Sequence, residues 1–334
     1  MNFVPEYNKA MKTKCTICPR KCDLEPDQSG FCHVRKNVGG KIQLTTYGYT
    51  TGLNIDPIEK KPLYHFYPGS KVLSFGTIGC NMGCAFCQNA HLSRSKEEPE
   101  KYYKASPEEI VETALRHECK SIAYTYNDPI IFIEYMRDTA KIAREKGLKN
   151  VAVTAGNINP EVHAEFFEYI DAANIDLKAF NDDFYKKHCL ASLEPVLETI
   201  KYACNAGVWL ELTTLLIEGE NDSTDEITKE CAWIIDNLGV HVPLHFSAFH
   251  PAWKFSHKNP TRPETLLKAY EIAHDMGLKY VYTGNIPHAV STSTTYCENC
   301  HNAIIIRDGY GVVEYDLHDG AHCRFCEFEC SGRF

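Results

Sequence analysis

The chain has 334 residues, 44% of them hydrophobic, enough for one large core with small appendages. Its formal net charge is −9, from 35 basic and 44 acidic residues, so it lacks the basic excess of a broad nucleic-acid footprint. The opening MNFVPEYNKAMKTK has no apolar leader and no apolar run is long enough to cross a bilayer; the expected location is the cytosol, away from membranes.

Cysteine is over-represented: sixteen residues, twelve of them in three groups. Cys15, Cys18, Cys22 and Cys32 open the chain, Cys80, Cys84 and Cys87 follow, and Cys297, Cys300, Cys323, Cys326 and Cys330 close it. In a reducing compartment such clusters are metal ligands more often than disulfides. Cys119, Cys189, Cys204 and Cys231 stand alone in apolar or helical stretches and read as small buried hydrophobes.

Between the outer groups, strand-like and helix-like segments alternate. Lys71–Ile78 reads as a strand ending at glycine. Ser106 caps a helix with Pro107 at its first position and Glu109 completing a capping box. Ser121–Tyr126 is a strand, Ile130–Lys146 a helix, Asn150–Thr154 a strand, Pro160–Tyr169 a helix and Ala173–Leu177 a strand. Leu193–Ala206 (helix), Val208–Ile217 (strand), Asp225–Leu238 (helix), Leu244–Phe249 (strand), Pro263–Met276 (helix) and Lys279–Tyr282 (strand) complete the run. This alternation predicts an α/β fold: a full or partial (βα) barrel of parallel strands, spanning residues 66–290. Residues 1–65 form an N-terminal cysteine-rich extension and 291–334 a C-terminal one. Sites in such barrels lie at the C-terminal strand ends, which singles out Asn127, Asp128, Asp176, Lys178, His250 and Asn285.

The loop after the first predicted barrel strand reads CNMGCAFC, with Cys80, Cys84 and Cys87 spaced by three and then two residues. Three thiolates from one loop can ligate three irons of a cubane and leave the fourth open. A zinc ion in the same place would require a fourth protein ligand. Phe86 stands where it can shield one face of a cluster.

This C-x3-C-x-aromatic-C loop resembles the signature of the radical S-adenosylmethionine (SAM) superfamily. The resemblance implies a 4Fe-4S cluster on Cys80, Cys84 and Cys87 whose open iron takes the amino and carboxylate groups of SAM. Reductive cleavage would then give methionine and a 5′-deoxyadenosyl radical that abstracts a substrate hydrogen. It also implies cofactor contacts from Asn127 and Asp128 at the end of the second strand, from Gly156 and Asn157 after the third, and from Asp176 and Lys178 after the fourth. Asp176 and Lys178 resemble the strand motif of glycyl-radical-activating enzymes, where such a pair faces cofactor and substrate; with His250 they are the expected catalytic residues. Glu211 and Thr213 in the fifth strand are further cofactor candidates, and His245 lies on the sixth.

The stretches CTICPRKCDLEPDQSGFCHVRKNVGGK, TIGCNMGCAFCQN, NIDLKAFNDDFYKKHC, ELTTLLIEGENDSTDEI, HFSAFHP, YVYTGNI and GAHCRFCEFECSGRF are similar to the radical SAM proteins of the AmmeMemoRadiSam system, which resemble pyruvate formate-lyase activating enzyme. Thr154-Ala-Gly-Asn departs from the Asn-Gly pair expected there. The resemblance implies protein partners from that system and an electron donor of ferredoxin or flavodoxin type; it names no substrate.

At the C-terminus, Cys297-x2-Cys300 and Cys323-x2-Cys326 are separated by 22 residues, the spacing of a zinc ribbon or rubredoxin-like S4 site. The intervening AIIIRDGYGVVEYDL reads as a hairpin about Asp308-Gly309, with Cys330, His301 and His322 as spare ligands. Zinc is favoured over a second iron–sulfur cluster. Cys15, Cys18, Cys22 and Cys32 form another four-sulfur set, with His33 nearby, for zinc or a cluster; whether the two ends share a metal stays open. Two other functional classes compete with the general enzyme reading: a glycyl-radical activase, and a metal-stabilised adaptor without SAM chemistry.

Overall fold

The computed structural model describes residues 11–286 and 289–334; the reading of residues 1–10 lies outside them. One eight-stranded sheet organises the chain. Strand β1 (Leu53–Pro57) pairs antiparallel with β2 (Lys71–Phe75). Then β3 (Ser121–Tyr124), β4 (Lys149–Thr154), β5 (Ala172–Asp176), β6 (Trp209–Leu216), β7 (Leu244–Ala248) and β8 (Val281–Gly284) follow in chain order, each parallel to its neighbour. Parallel pairs require long crossovers. These carry α1 (Pro107–Arg116), α2 (Ile133–Glu145), α3 (His163–Phe167), α4 (Glu194–Asn205), α5 (Thr224–Leu238) and α6 (Pro263–Asp275). Among the described residues no ladder joins β1 to β8. No helix among them is long and apolar enough to cross a membrane.

The helices form where the local chemistry starts them. Ser106 accepts from the Glu109 backbone while the Glu109 carboxylate accepts from Ser106 N, the reciprocal box that begins α1. Each sheet face then buries its own apolar set. Phe75, Tyr124, Ile175, Leu212 and Phe246 pack under the helices. On the opposite face, Val72, Ala123, Val151 and Ala172 pack against Ile58, Leu63 and Phe66. Each fully buried Leu, Ile or Phe contributes ~1.5–3 kcal/mol.

Strand β1 lies in the stretch read from sequence as N-terminal extension. After it, residues 58–70 cross the N-terminal end of the sheet and close it from below. The C-terminal tail reinforces that floor. Its hairpin, Ala303–Asp308 with Gly311–Tyr315, turns at Asp308-Gly309. The fully buried Arg307 donates to Tyr64 O (2.7 Å), Ser293 O (3.0 Å) and Thr295 Oγ1 (2.9 Å). Arg333 N donates to His65 O at 2.7 Å. The N-terminal extension docks through buried Arg35, which forks onto Glu134 of α2 (2.8 and 2.5 Å) and donates to Ile131 O.

Candidate active site

Strand β2 delivers the chain to the C-terminal edge of the sheet, where Gly76 to Gly79 lead into Cys80. Two glycines make this path passable. A Cβ on Gly76 would lie 2.2 Å from Thr125 O, and one on Gly79, at φ +84°, 2.2 Å from Cys32 O. Asn127 clamps the lead-in. Its Nδ2 donates to Thr77 Oγ1 (3.0 Å), Ile78 O (3.3 Å) and Gly79 O (3.0 Å), and its Oδ1 accepts from Thr77 N (3.3 Å). These bonds occupy its side chain in shaping the loop.

Cys80, Cys84 and Cys87 are free thiols, half-buried in that loop. Phe86 packs its ring between Phe184 (5.7 Å) and Phe255 (6.1 Å). The loop rests on a π-helical turn, Tyr185–Cys189, which sequence reading passed over: Gly83 N donates to Cys189 O (2.9 Å) and Ala85 N to His188 O (2.7 Å). The buried Cys189 thiol stands beside Cys84 and, with Lys178, holds it below the usual thiol range against the opposing effect of burial. The only sequence signal for this neighbour was its place in the quoted stretch ending KKHC.

Around the loop the structure gathers four of the predicted residues. Asp128 is buried and accepts from Thr154 Oγ1 (2.9 Å), Ala155 N (3.0 Å) and Ile130 N (3.3 Å); burial nonetheless pushes its carboxyl up to about 6. Asp176, at the end of β5, accepts from Lys178 Nζ at 2.8 Å. Burial opposes the Lys178 charge, yet Asp176 and the Cys84 and Cys189 thiols raise it well above the usual lysine range. Asn157 is joined to the cysteine loop because Asn81 Nδ2 donates to its backbone oxygen (2.8 Å), and its own buried Oδ1 has no partner among the described residues.

The others have different settings. Gly156, at φ +66°, packs against Ile175 and accepts from Thr199 Oγ1 (2.7 Å). Thr213 sits beside Asp176 in the ladder, its buried hydroxyl without a partner among the described residues. Glu211 lies two residues nearer the floor. Its carboxylate is fully buried and accepts from Tyr64 N (2.9 Å), His65 N (2.8 Å), Trp209 Nε1 (3.1 Å) and His245 Nε2 (2.7 Å). Glu211 and His245 thus knit the floor to β6 and β7 rather than joining the cysteine loop. His250 is exposed beyond β7, its ring on Asn285 O at 3.0 Å; Asn285 in turn donates to Ala248 O.

The terminal cysteines differ in geometry. Among the described residues, Cys297, Cys300, Cys323 and Cys326 are the one set of three or more candidate ligands whose donor atoms all lie within 4.8 Å of one another. The Cys297–Cys326 and Cys300–Cys323 sulfurs are 3.6 and 3.7 Å apart. A tetrahedron with metal–sulfur bonds of about 2.3 Å has edges of about 3.8 Å, so these four fit a single ion. Cys330, His301 and His322 stand outside this set.

Residues 75–231 match the model of the radical SAM superfamily. The chain is 44% identical over 317 residues to the uncharacterized protein MJ0808 of Methanocaldococcus jannaschii, covering 94% of each. It is 22% identical over 231 residues to pyruvate formate-lyase 1-activating enzyme of Escherichia coli, covering 64% of this chain and 93% of that one. Among solved structures, a radical SAM methyltransferase from Sphaerobacter thermophilus shares the fold, with a TM-score of 0.53 at 17% identity over 66% of this chain and 68% of that one. This family implies SAM and a 4Fe-4S cluster, and three thiols of one loop that do not converge on a single ion fit such a cluster. The chain belongs to the family of the Methanocaldococcus protein and carries, over residues 75–231, a radical SAM domain with distant homology to pyruvate formate-lyase 1-activating enzyme.

Proposed function

We propose that this protein is a radical SAM enzyme whose Cys80, Cys84 and Cys87 hold the cluster and leave one iron for the amino and carboxylate groups of SAM. When bound, cluster and SAM together supply reductive cleavage to a 5′-deoxyadenosyl radical, which takes a hydrogen atom from a small-molecule or protein substrate. The observation that carries this reading is the meeting of three half-buried loop thiols with the Asp128, Asp176 and Lys178 charges and the unpartnered Asn157 Oδ1 at one end of the sheet. Buried polar atoms without partners are costly, and a polar ligand offsets that cost.

In this reading Asn127 fixes the loop, Asp128 and Asn157 contact the cofactor, and Lys178, paired with Asp176, orients the cofactor and excludes bulk water from it. Thr213 adds a hydroxyl beside Asp176, Gly156 lets the chain approach the nucleoside, and His250 stands nearest the substrate's path. Cys297, Cys300, Cys323 and Cys326 hold zinc. The quoted sequence stretches favour placement in the AmmeMemoRadiSam system, with an electron donor of ferredoxin or flavodoxin type. Activation of a glycyl-radical enzyme is one version of the same chemistry.

The test is anaerobic reconstitution followed by a dithionite-driven assay of 5′-deoxyadenosine formed from SAM. The wild type is expected to form it and Cys84→Ala to form none. A reconstituted wild type without product supports the adaptor reading instead.

A further inference from the structure

Outside the active site, the N-terminal extension carries a second sulfur-rich cavity. Cys15, Cys18, Cys22 and Cys32 all line one small cleft, walled also by Ile17, Phe31 and Ile131. Two loops bring them there. Cys15 N donates to Cys22 O (2.8 Å) and Lys21 N to Cys18 O (3.1 Å), folding the first three cysteines into one turn. Gly30 N donates to Arg35 O (2.8 Å), and a Cβ on Gly30 would lie 3.6 Å from Cys22 Sγ, so the loop bearing Cys32 faces that turn. Asn159 Nδ2 donates to Thr16 O and to Cys18 O (3.1 Å) and fixes the turn to the barrel. All four thiols are free, and Cys15 and Cys32 are buried.

Size separates this set from the C-terminal one. The C-terminal sulfurs close to 3.6 and 3.7 Å, as around one ion, whereas no three N-terminal sulfurs lie mutually within 4.8 Å. Four cysteines that border a cavity without converging to a tetrahedron edge suit a group with several metal atoms, each taking one sulfur.

Charge points the same way. Two guanidiniums lie over the Phe31 ring, Arg20 at 3.5 Å and Arg94 at 4.4 Å from its centroid. Arg20 donates to Asn81 O (2.5 Å) and Leu190 O; Arg94 reaches Cys80 O (3.5 Å), Met82 O (3.4 Å), Phe31 O (3.4 Å) and His33 Nε2 (2.9 Å). Among the described residues neither has a carboxylate within 4.0 Å. Two part-buried cations without carboxylates are costly unless other anions face them. They stand between the two cysteine loops, and cysteine-ligated iron–sulfur clusters are net anionic.

We propose that Cys15, Cys18, Cys22 and Cys32 hold a second iron–sulfur cluster of the 4Fe-4S type, ligated throughout by protein sulfur and next to the Cys80–Cys84–Cys87 loop. With no open iron it binds no SAM. The contacts of Gly79 with Cys32 O and of Gly83 with Phe31, whose Cζ would lie 3.2 Å from a Gly83 Cβ, make the two loops direct neighbours. The proposal does not rest on SAM cleavage.

Iron and zinc analysis of the anaerobically reconstituted full chain, with Mössbauer and EPR spectra and no SAM present, tests it. The wild type is expected to carry about eight irons per chain, and Cys84→Ala and the double variant Cys18→Ala/Cys22→Ala about four each, both with 4Fe-4S spectra. Reduced wild type should show magnetic interaction between two clusters that each variant lacks. Zinc retained at the C-terminal site reports that the variants are folded. About four irons in the wild type together with a folded, iron-free Cys84→Ala protein would overturn the proposal, as would a second zinc lost on changing Cys18 and Cys22. Absence of 5′-deoxyadenosine with about eight irons present would instead count against the SAM reading alone.

Discussion

Asn127 shows how one side chain can shape the lead-in to the Cys80 loop through hydrogen bonds alone. Read from sequence as a cofactor contact, it is committed to Thr77, Ile78 and Gly79. Asn127→Ala leaves those groups short of partners at a cost of about 1–3 kcal/mol. The expected result is a lower melting temperature and less iron retained by the Cys80 loop; unchanged iron content would contradict the clamp. Glu230 on α5 gives a second residue-scale prediction. Fully buried, it accepts from Thr214 Oγ1, and burial pushes it up to about 8 with Thr214 opposing. The folded chain therefore keeps a proton that the unfolded chain, with a carboxyl near 4.3, has already lost. Stability falls as pH rises through that window, on the order of 3 kcal/mol between about pH 5 and about pH 8. Denaturant unfolding at both pH values should show Glu230→Gln losing distinctly less; equal losses would refute the buried proton.

At the scale of elements, the sequence-legible parts are those that local chemistry determines. The Ser106-Pro107-Glu109 start of α1 and the apolar runs of β2 to β8 need no partner to be recognised. Ser106→Ala should lower stability by about 1 kcal/mol, measured by thermal unfolding, and no change would mean that packing alone sets the start of α1. Strand β1 was not legible because LNIDP is short, polar and proline-ended, and it exists as a strand only through the neighbouring β2. The π-helical turn under Cys84 was equally hidden, since it is defined by carbonyls turned toward Gly83 and Ala85. Cys189 read as a small buried hydrophobe and is buried, but its neighbour is the Cys84 thiol. Glu211 illustrates the converse: a carboxylate in an apolar strand signals a polar network, and only the fold shows that this network belongs to the floor.

For the whole molecule, three cysteine sets divide the work by geometry. The C-terminal four-cysteine set fits one ion and lies in the tail whose Arg307 and Arg333 hold residues 64 and 65 under the sheet. Cys323→Ala should release that ion and lower the melting temperature of the entire chain, because the floor loosens with the tail; retention of the metal, or loss confined to the tail, would contradict this coupling. The middle set, with its three thiols, remains the centre of the account. Its most direct test is the EPR spectrum of the reduced protein with and without SAM, recorded on Cys18→Ala/Cys22→Ala to leave one cluster in view. SAM is expected to change the signal, as its amino and carboxylate groups take the open iron, and Cys84→Ala is expected to show no SAM-dependent change. A cluster signal on the Cys80 loop that SAM leaves unaltered would contradict it.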